Sequence, residues 1–413
     1  MEGLSFLWDI MFTNRLSYLL GLLSLVFIPY FHGIKLVDIV LVVGDFLLLL
    51  FLLLKRKYSV RILLTSSLFA IYIIISIMGA IINTESYNGV SVAIRYILLL
   101  FSVSLLYFYN RETLLCFKKG FVTIAYITVA WMFVDTIYYY MIHPMTSINE
   151  DLFSELIVGN EHRLTNRFKI GSIPLLLRAS GFGWDPGGIA PALLIAYIIN
   201  YYNRFYQYNW ILIIGIFLSL SKTTFLALAL FVVYLILKKV NMLLAKSMVA
   251  LFFVFVFVTS ASINGKSTDP NNDGNIRHIK YPSSIGYMID APISEILLGY
   301  GYRGTGEFFF KYPPWFRTHN FLTSYKESQN TIVESSFTNL FLYSGLIGSV
   351  IFYSIVFIIF LYGNDEEVAI ISFLFIMYVG YTFENLWTNF LIYAIFFEII
   401  SRRGIRFGKY HIG

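Results

Sequence analysis

The feature that most constrains this chain is its succession of apolar runs, each bounded by charges or turn residues. They lie at about 16–31, 36–54, 59–83, 90–108, 119–142, 185–203, 209–220, 222–238, 246–263, 338–361, 367–381 and 385–400. Hydrocarbon offers no partner to a backbone N–H or C=O, so a chain that stays there must form helices or a closed barrel. Runs of about 20 apolar residues select the helix. The expectation is an all-α, polytopic membrane protein of about 12 transmembrane helices, a single transmembrane domain over 1–413. The runs 209–220 and 222–238 are short for a crossing. Their junction, Ser219-Leu220-Ser221-Lys222-Thr223-Thr224, reads as a broken or tightly turned helix pair.

Composition agrees. Of 413 residues, 58% are hydrophobic and only 13% charged, against about 25% charged in a soluble domain. The net charge of +6 is not gathered into a basic helix or a stacking platform outside the apolar runs, so no nucleic-acid partner is expected. Membrane lipids are. A single cysteine, Cys116, excludes a disulfide framework and a cysteine metal cluster. The first residues carry Glu2, Asp9 and Arg15 without a small-residue cleavage site, so no removable signal peptide is expected.

Short loops set orientation through Lys and Arg. One face collects Arg15, Lys55, Arg56, Lys57, Arg61, Arg111, Lys118, Lys119, Arg204, Lys238, Lys239, Lys246, Arg402, Arg403, Arg406 and Lys409; the short connections of the other hold Lys35, Arg95 and Lys222. The first face, with both termini, is therefore expected in the cytoplasm. The one acidic loop on that face, Asp365-Glu366-Glu367, reads as a short solvated turn. Two long loops, about 143–184 and 264–337, then lie outside the cytoplasm.

Those loops hold the candidate chemistry. The first contains Arg163, Arg167, Lys169 and Arg178, then Gly181-Phe182-Gly183-Trp184-Asp185-Pro186. Asp185 reads as an N-cap with Pro186 at the first helical position. The plain reading is a helix start and nothing more; the functional reading adds that a helix N-terminus beside arginines can bind phosphate, through free N–H groups and the dipole. Arginine suits phosphate because its planar fork meets two oxygens and never deprotonates. The second loop contains Arg277, Lys280, Arg303, Lys311 and Arg317 with His278 and His319. Its Gly299-Tyr300-Gly301-Tyr302-Arg303-Gly304 segment would permit close backbone approach to a ligand. Its aromatic stretch 308–316 fits an interfacial belt or a sugar-stacking surface. Asp269-Pro270-Asn271-Asn272-Asp273-Gly274 begins like a calcium loop, but the twelfth position is Lys280 rather than Glu, so it reads as a polar turn. No metal and no cofactor are expected.

The order of these features resembles the bacterial O-antigen polymerase and ligase superfamily. The matching blocks are Arg178-Ala179-Ser180-Gly181-Phe182 through Asp185-Pro186; Leu218-Ser219-Leu220-Ser221-Lys222-Thr223; Leu298-Gly299-Tyr300-Gly301; and Val333-Glu334-Ser335-Ser336-Phe337 leading to Gly345-Leu346-Ile347-Gly348. They cover about 178–348, and the first five runs match only in being apolar. Two positions depart from the family pattern. Lys222 stands where the family commonly has Arg, which keeps the charge and loses the bidentate fork. Glu334-Ser335 fills the slot where ligases place His-Asn, while His319-Asn320 lies upstream. The glutamate resembles polymerases more closely, and the His-Asn pair keeps the ligase alternative open.

The resemblance implies a glycosyltransferase C-like architecture and a metal-independent glycosyltransferase. Such an enzyme joins polyprenyl-pyrophosphate-linked oligosaccharide repeat units at the periplasmic face, and a chain-length regulator protein is a partner it leaves room for. The departing pyrophosphate gathers negative charge that fixed cations stabilise. Arg178, Lys222 and Arg303 are the first candidates for this, followed by Arg163, Arg167, Arg277 and Arg317. A base must take the proton of the attacking hydroxyl, and Glu334 or His319 is the candidate. Taken singly, each has a plainer reading: an arginine on lipid phosphate, a surface histidine, an acid at a helix start. The alternatives are an O-antigen ligase that transfers glycan to lipid A core, and a lipid-linked sugar flippase or other transporter. A transporter places ionisable groups near the bilayer midplane and often has inverted repeats. Asp45 and Asp135 are the only deep charges, with Asp45 expected to be structural, and no repeat is evident.

Overall fold

A computed structural model describes residues 2–26, 30–31, 34–35, 43, 60–84, 94, 97, 100, 112–143, 146–153, 167–170, 173–182, 186–262, 291–302, 336–378 and 386–403. These residues are mostly helical. The helices are α1 (Glu2–Leu23), α2 (Val60–Asn83), α3 (Thr113–Ile137), α4 (Ile148–Phe153), α5 (Pro186–Asn203), α6 (Trp210–Ser219), α7 (Lys222–Val240), α8 (Met242–Ser262), α9 (Ile293–Leu298), α10 (Ser336–Tyr362), α11 (Asp365–Tyr378) and α12 (Leu386–Arg403). A π-helical turn, Tyr138–Ile142, prolongs α3. Two antiparallel hairpins complete the description: β1 (Tyr30–Phe31) with β2 (Ile34–Lys35), and β3 (Arg167–Ile170) with β4 (Ile173–Leu177). Among the described residues, three helical stretches are long and apolar enough to cross a membrane: Thr113–Ile142, Lys222–Val240 and Asn339–Tyr362. The apolar runs at 36–54 and 90–108 lie largely outside the described residues.

The first long loop contains secondary structure that the sequence reading did not assign. Between 143 and 184 it carries α4 and the β3–β4 hairpin, whose register pairs Ile170 with Ile173 across a two-residue connection. Gly171-Ser172 between two apolar runs is the sequence signal for such a hairpin.

Packing follows from side-chain character around each helix. Helix α11 is apolar on all sides, and Val368, Ala369, Ile370, Ile371, Phe373 and Leu374 are all buried. A helix apolar all round belongs in the middle of an assembly. By contrast, α3, α7, α8 and α10 turn large apolar residues outward, among them Phe133, Val232, Leu251 and Phe357. An outward apolar surface of this extent is a membrane-facing surface in a protein that must remain dispersed. Helices α1 and α3 approach until their backbones touch. A Cβ on Gly21 would collide with the Phe117 carbonyl, and one on Gly120 with the Tyr18 carbonyl. Small residues permit this close approach in apolar surroundings, where van der Waals packing drives association.

Helix α10 is interrupted at Gly345, with φ 58° and ψ −161°. In an unbroken helix the carbonyls of Leu342 and Tyr343 would accept from residues 346 and 347. Here the Tyr300 and Gly301 N–H groups donate to them at 2.6 and 2.9 Å. Asn83 on α2 donates to the Gly299 carbonyl at 2.6 Å, and the Tyr300 hydroxyl donates to the buried Glu295 carboxylate. Gly299 and Gly301 have φ of +69° and +74°. A side chain on either would meet backbone of α10 or α2. The glycines of this segment therefore admit the chain's own helices, where the sequence reading had them admit a ligand.

The opposite helix ends meet at a charged corner between α10 and α11. Lys118 at the start of α3 pairs with Glu366 at 2.8 Å, and Asn203 at the end of α5 donates to the same carboxylate oxygen at 2.8 Å. Lys238 of α7 pairs with Asp365, and Lys246 of α8 donates to the Phe360 carbonyl at 3.0 Å. Asn364 and Glu367 cap α11 reciprocally, each side chain accepting the other's backbone N–H at 2.9 and 2.8 Å. The expectation of a solvated turn is therefore wrong: Glu367 is fully buried and the Glu366 side chain is 13% exposed. Glu366 is drawn in by Lys118 and Asn203, and Glu367 by its reciprocal cap with Asn364. Those helix ends are ones the charge pattern assigns to a common face.

Candidate functional site

The α6–α7 junction is the tight break its sequence announces. Helix α6 ends at Ser219, Leu220 adopts the left-handed conformation (φ 49°, ψ 36°), Ser221 is extended and α7 begins at Lys222. A left-handed non-glycine residue is strained by about 1–2 kcal/mol. The turn is held by the Ser219 hydroxyl on the Ile216 carbonyl at 2.7 Å and by a Ser221–Thr224 hydroxyl pair at 3.0 Å. Ser221 makes no side-chain bond to the α7 N-terminus that it caps.

The residues after β4 dock onto this turn. The Ala179 N–H donates to the Leu218 carbonyl at 3.1 Å, and Arg178 Nε donates to the Ser219 carbonyl at 3.4 Å. Arg178 is thereby fixed beside the turn whose next helix begins with the exposed Lys222. The β3–β4 register sets Arg167 opposite Leu177, so its backbone neighbours Arg178 along the ladder. Two of the candidate cations, Arg178 and Lys222, far apart in sequence, thus meet at the N-terminus of a 19-residue helix. Aligned N–H groups and a helix dipole joined by a positioned guanidinium and by an ammonium form an arrangement suited to a phosphate or pyrophosphate.

The Arg178 segment is braced from its other side. The Leu177 N–H donates to the Tyr140 hydroxyl at 3.1 Å. Buried Asn149 donates to the Gly181 carbonyl at 2.7 Å and accepts from Trp131 Nε1 at 2.9 Å. Trp131 stacks on Phe182 with centroids 5.3 Å apart. Gly181 is left-handed at φ +60°, and a Cβ there would strike Thr128 on α3. Asp135, one of the deep charges, is buried and accepts the Ile148 N–H at 2.8 Å, which anchors α4.

Sequence reasoning missed one constellation here. Asp151 Oδ2 accepts the Tyr138 hydroxyl at 2.6 Å and lies 3.2 Å from His143 Nδ1. A proline after His143 and an acid some residues later carry no motif, so only the folded turn reveals the pair. The other candidates, Glu334, His319, Arg163, Arg277, Arg303 and Arg317, lie outside the described residues, as do Asp185, Asp45 and the 269–274 segment. Helix α5 does begin at Pro186. Among the described residues, no three His, Cys, Asp or Glu side chains are grouped to hold a metal ion.

No protein-family model, no curated protein and no solved structure matches this chain.

Proposed function

We propose that this chain is a multi-pass glycosyltransferase of the bacterial inner membrane that polymerises polyprenyl-pyrophosphate-linked oligosaccharide units. In this reading about 12 helices cross the bilayer, both termini are cytoplasmic, and the Arg178 end faces the periplasm. The observation that carries it is the docking of the Arg178 segment on the Ser219–Lys222 turn, which unites two of the motifs shared with the O-antigen polymerase superfamily. A pyrophosphate held there would have its developing charge met by Arg178, Lys222 and the α7 N-terminus, and Arg167 stands on the strand paired with the one that leads to Arg178. Arg303, Arg163, Arg277 and Arg317 remain further candidates for the glycan phosphates, and Glu334 or His319 for the base, on the resemblance alone.

One observation bears on the transporter alternative. Discontinuous helices commonly mark transport sites, where the freed carbonyls coordinate the substrate or ion. The carbonyls freed at Gly345 are already taken by Tyr300 and Gly301. This disfavours an ion site at the break.

The test is glycan banding in a strain lacking the gene, complemented with wild type or Arg178→Ala at matched membrane levels. The expected result is a ladder with wild type that shrinks to a single repeat with the variant. Long lipid-linked chains that never reach the lipid A core in the gene-deleted strain would make the protein a ligase. Precursors trapped on the cytoplasmic side would make it a transporter.

A further inference from the structure

We propose that His143, oriented by Asp151, is the proton acceptor for the attacking sugar hydroxyl; this rests on the glycosyltransferase reading above. Three features of the fold lead there. First, the π-helical turn Tyr138–Ile142 ends α3, and the His143 N–H donates to the Tyr138 carbonyl at 2.9 Å. Such turns recur at functional sites because they displace side chains from helical register. Here the turn brings the Tyr138 hydroxyl and the His143 ring to the same Asp151 oxygen, at 2.6 and 3.2 Å.

Second, the contact is made through Nδ1. A carboxylate on one ring nitrogen fixes the tautomer and leaves the other nitrogen as the acceptor. The His143 side chain is 58% exposed, so Nε2 is open to a substrate, while Asp151 at 32% is partly sheltered beneath it. Asp151 is itself positioned by its N–H on the Ser147 carbonyl at 3.2 Å.

Third, the pair is tied to the anion site. Tyr140, in the π-turn, receives the Leu177 N–H next to Arg178, and Asn149, on α4, grips the carbonyl of Gly181. The histidine and the guanidinium therefore hang from one cross-linked segment, with base and leaving-group cations on the same end of the molecule.

The step balances as follows. The acceptor hydroxyl gives its proton to His143 Nε2 as its oxygen bonds to the anomeric carbon of the donor. The bond from that carbon to the pyrophosphate oxygen breaks, and the electron pair departs with polyprenyl pyrophosphate beside Arg178 and Lys222. The imidazolium is stabilised by Asp151 and later loses its proton to water.

The experiment uses the full chain in detergent. Its substrate is the native lipid-linked oligosaccharide, extracted from membranes of the strain lacking the gene. His143→Ala is expected to lower kcat about 10²–10³-fold, to leave KM within about threefold, and to regain turnover with imidazole in the buffer. Asp151→Asn is expected to lower kcat about tenfold without imidazole rescue. An exposed ring is replaced with little strain, so matched unfolding curves will separate chemistry from folding. Wild-type kcat in His143→Ala, or a loss that imidazole does not touch, would overturn the assignment. A 10²-fold loss confined to Glu334→Gln or His319→Ala would move the proton transfer to that residue. If wild type itself builds no polymer, the glycosyltransferase reading falls and this role falls with it; if wild type builds polymer and His143→Ala builds it equally well, the role alone falls.

Discussion

Replacing Glu366 by glutamine tests the charged corner. Lys118 Nζ lies 2.8 Å from Glu366 Oε1, and the two side chains are 6% and 13% exposed. Removing one member of a buried pair strands the other charge away from water, a loss of about 3–5 kcal/mol. Glu366→Gln leaves the Lys118 ammonium against an amide, so about 3–4 kcal/mol of stability should disappear. Lys118→Met leaves the carboxylate with only the Asn203 amide, and a loss of about 3 kcal/mol is expected. The double variant Lys118→Met/Glu366→Gln removes both charges and should lie within about 2 kcal/mol of wild type, because neither partner is left as a stranded charge. The cycle should therefore show a coupling of about 4 kcal/mol or more. Unfolding of the detergent-solubilised protein by SDS titration, followed by tryptophan fluorescence, reads each value. Lys238 is 26% and Asp365 48% exposed, and that more exposed pair serves as the control, with Lys238→Met expected below about 1 kcal/mol and weakened by salt. A Glu366→Gln loss under about 0.5 kcal/mol, or single losses that simply add in the double variant, would refute a buried pair at this corner.

Two further outcomes follow from the packing. Gly299→Ala forces an L side chain into a left-handed position and against the Leu342 carbonyl; strain and overpacking together should remove about 2–4 kcal/mol, seen in the same titration. Asn149→Ala leaves the Trp131 N–H and the Gly181 carbonyl without their shared partner. A loss of about 2–4 kcal/mol is expected, with a change in Trp131 fluorescence, and a variant indistinguishable from wild type would remove the brace we assign to the Arg178 segment.

What the sequence determined by itself was secondary structure and its punctuation. Long apolar runs have few ways to satisfy their backbone away from water, so helices stand at 60–83, 113–137, 186–203, 210–219, 222–240 and 242–262, with a break at the polar turn before Lys222 and a start at Pro186. The run read over 16–31 departs from this: its helix spans Glu2–Leu23, and Tyr30–Phe31 pairs as a strand. The candidate site was legible only in part. Arg178 stands out as a loop cation and Lys222 as one at a helix junction, but nothing in their spacing says that β4 runs onward to the α6–α7 turn. The tertiary structure alone decided which helix ends are neighbours. It alone brought Lys118 to Glu366, seated Gly299 and Gly301 in the break of α10, and folded Asp151 back on His143. The physical reason is that apolarity drives a helix inward or outward without naming its partner. Partner choice rests on hydrogen bonds, ion pairs and backbone approach between residues remote in the chain, and no local pattern records these.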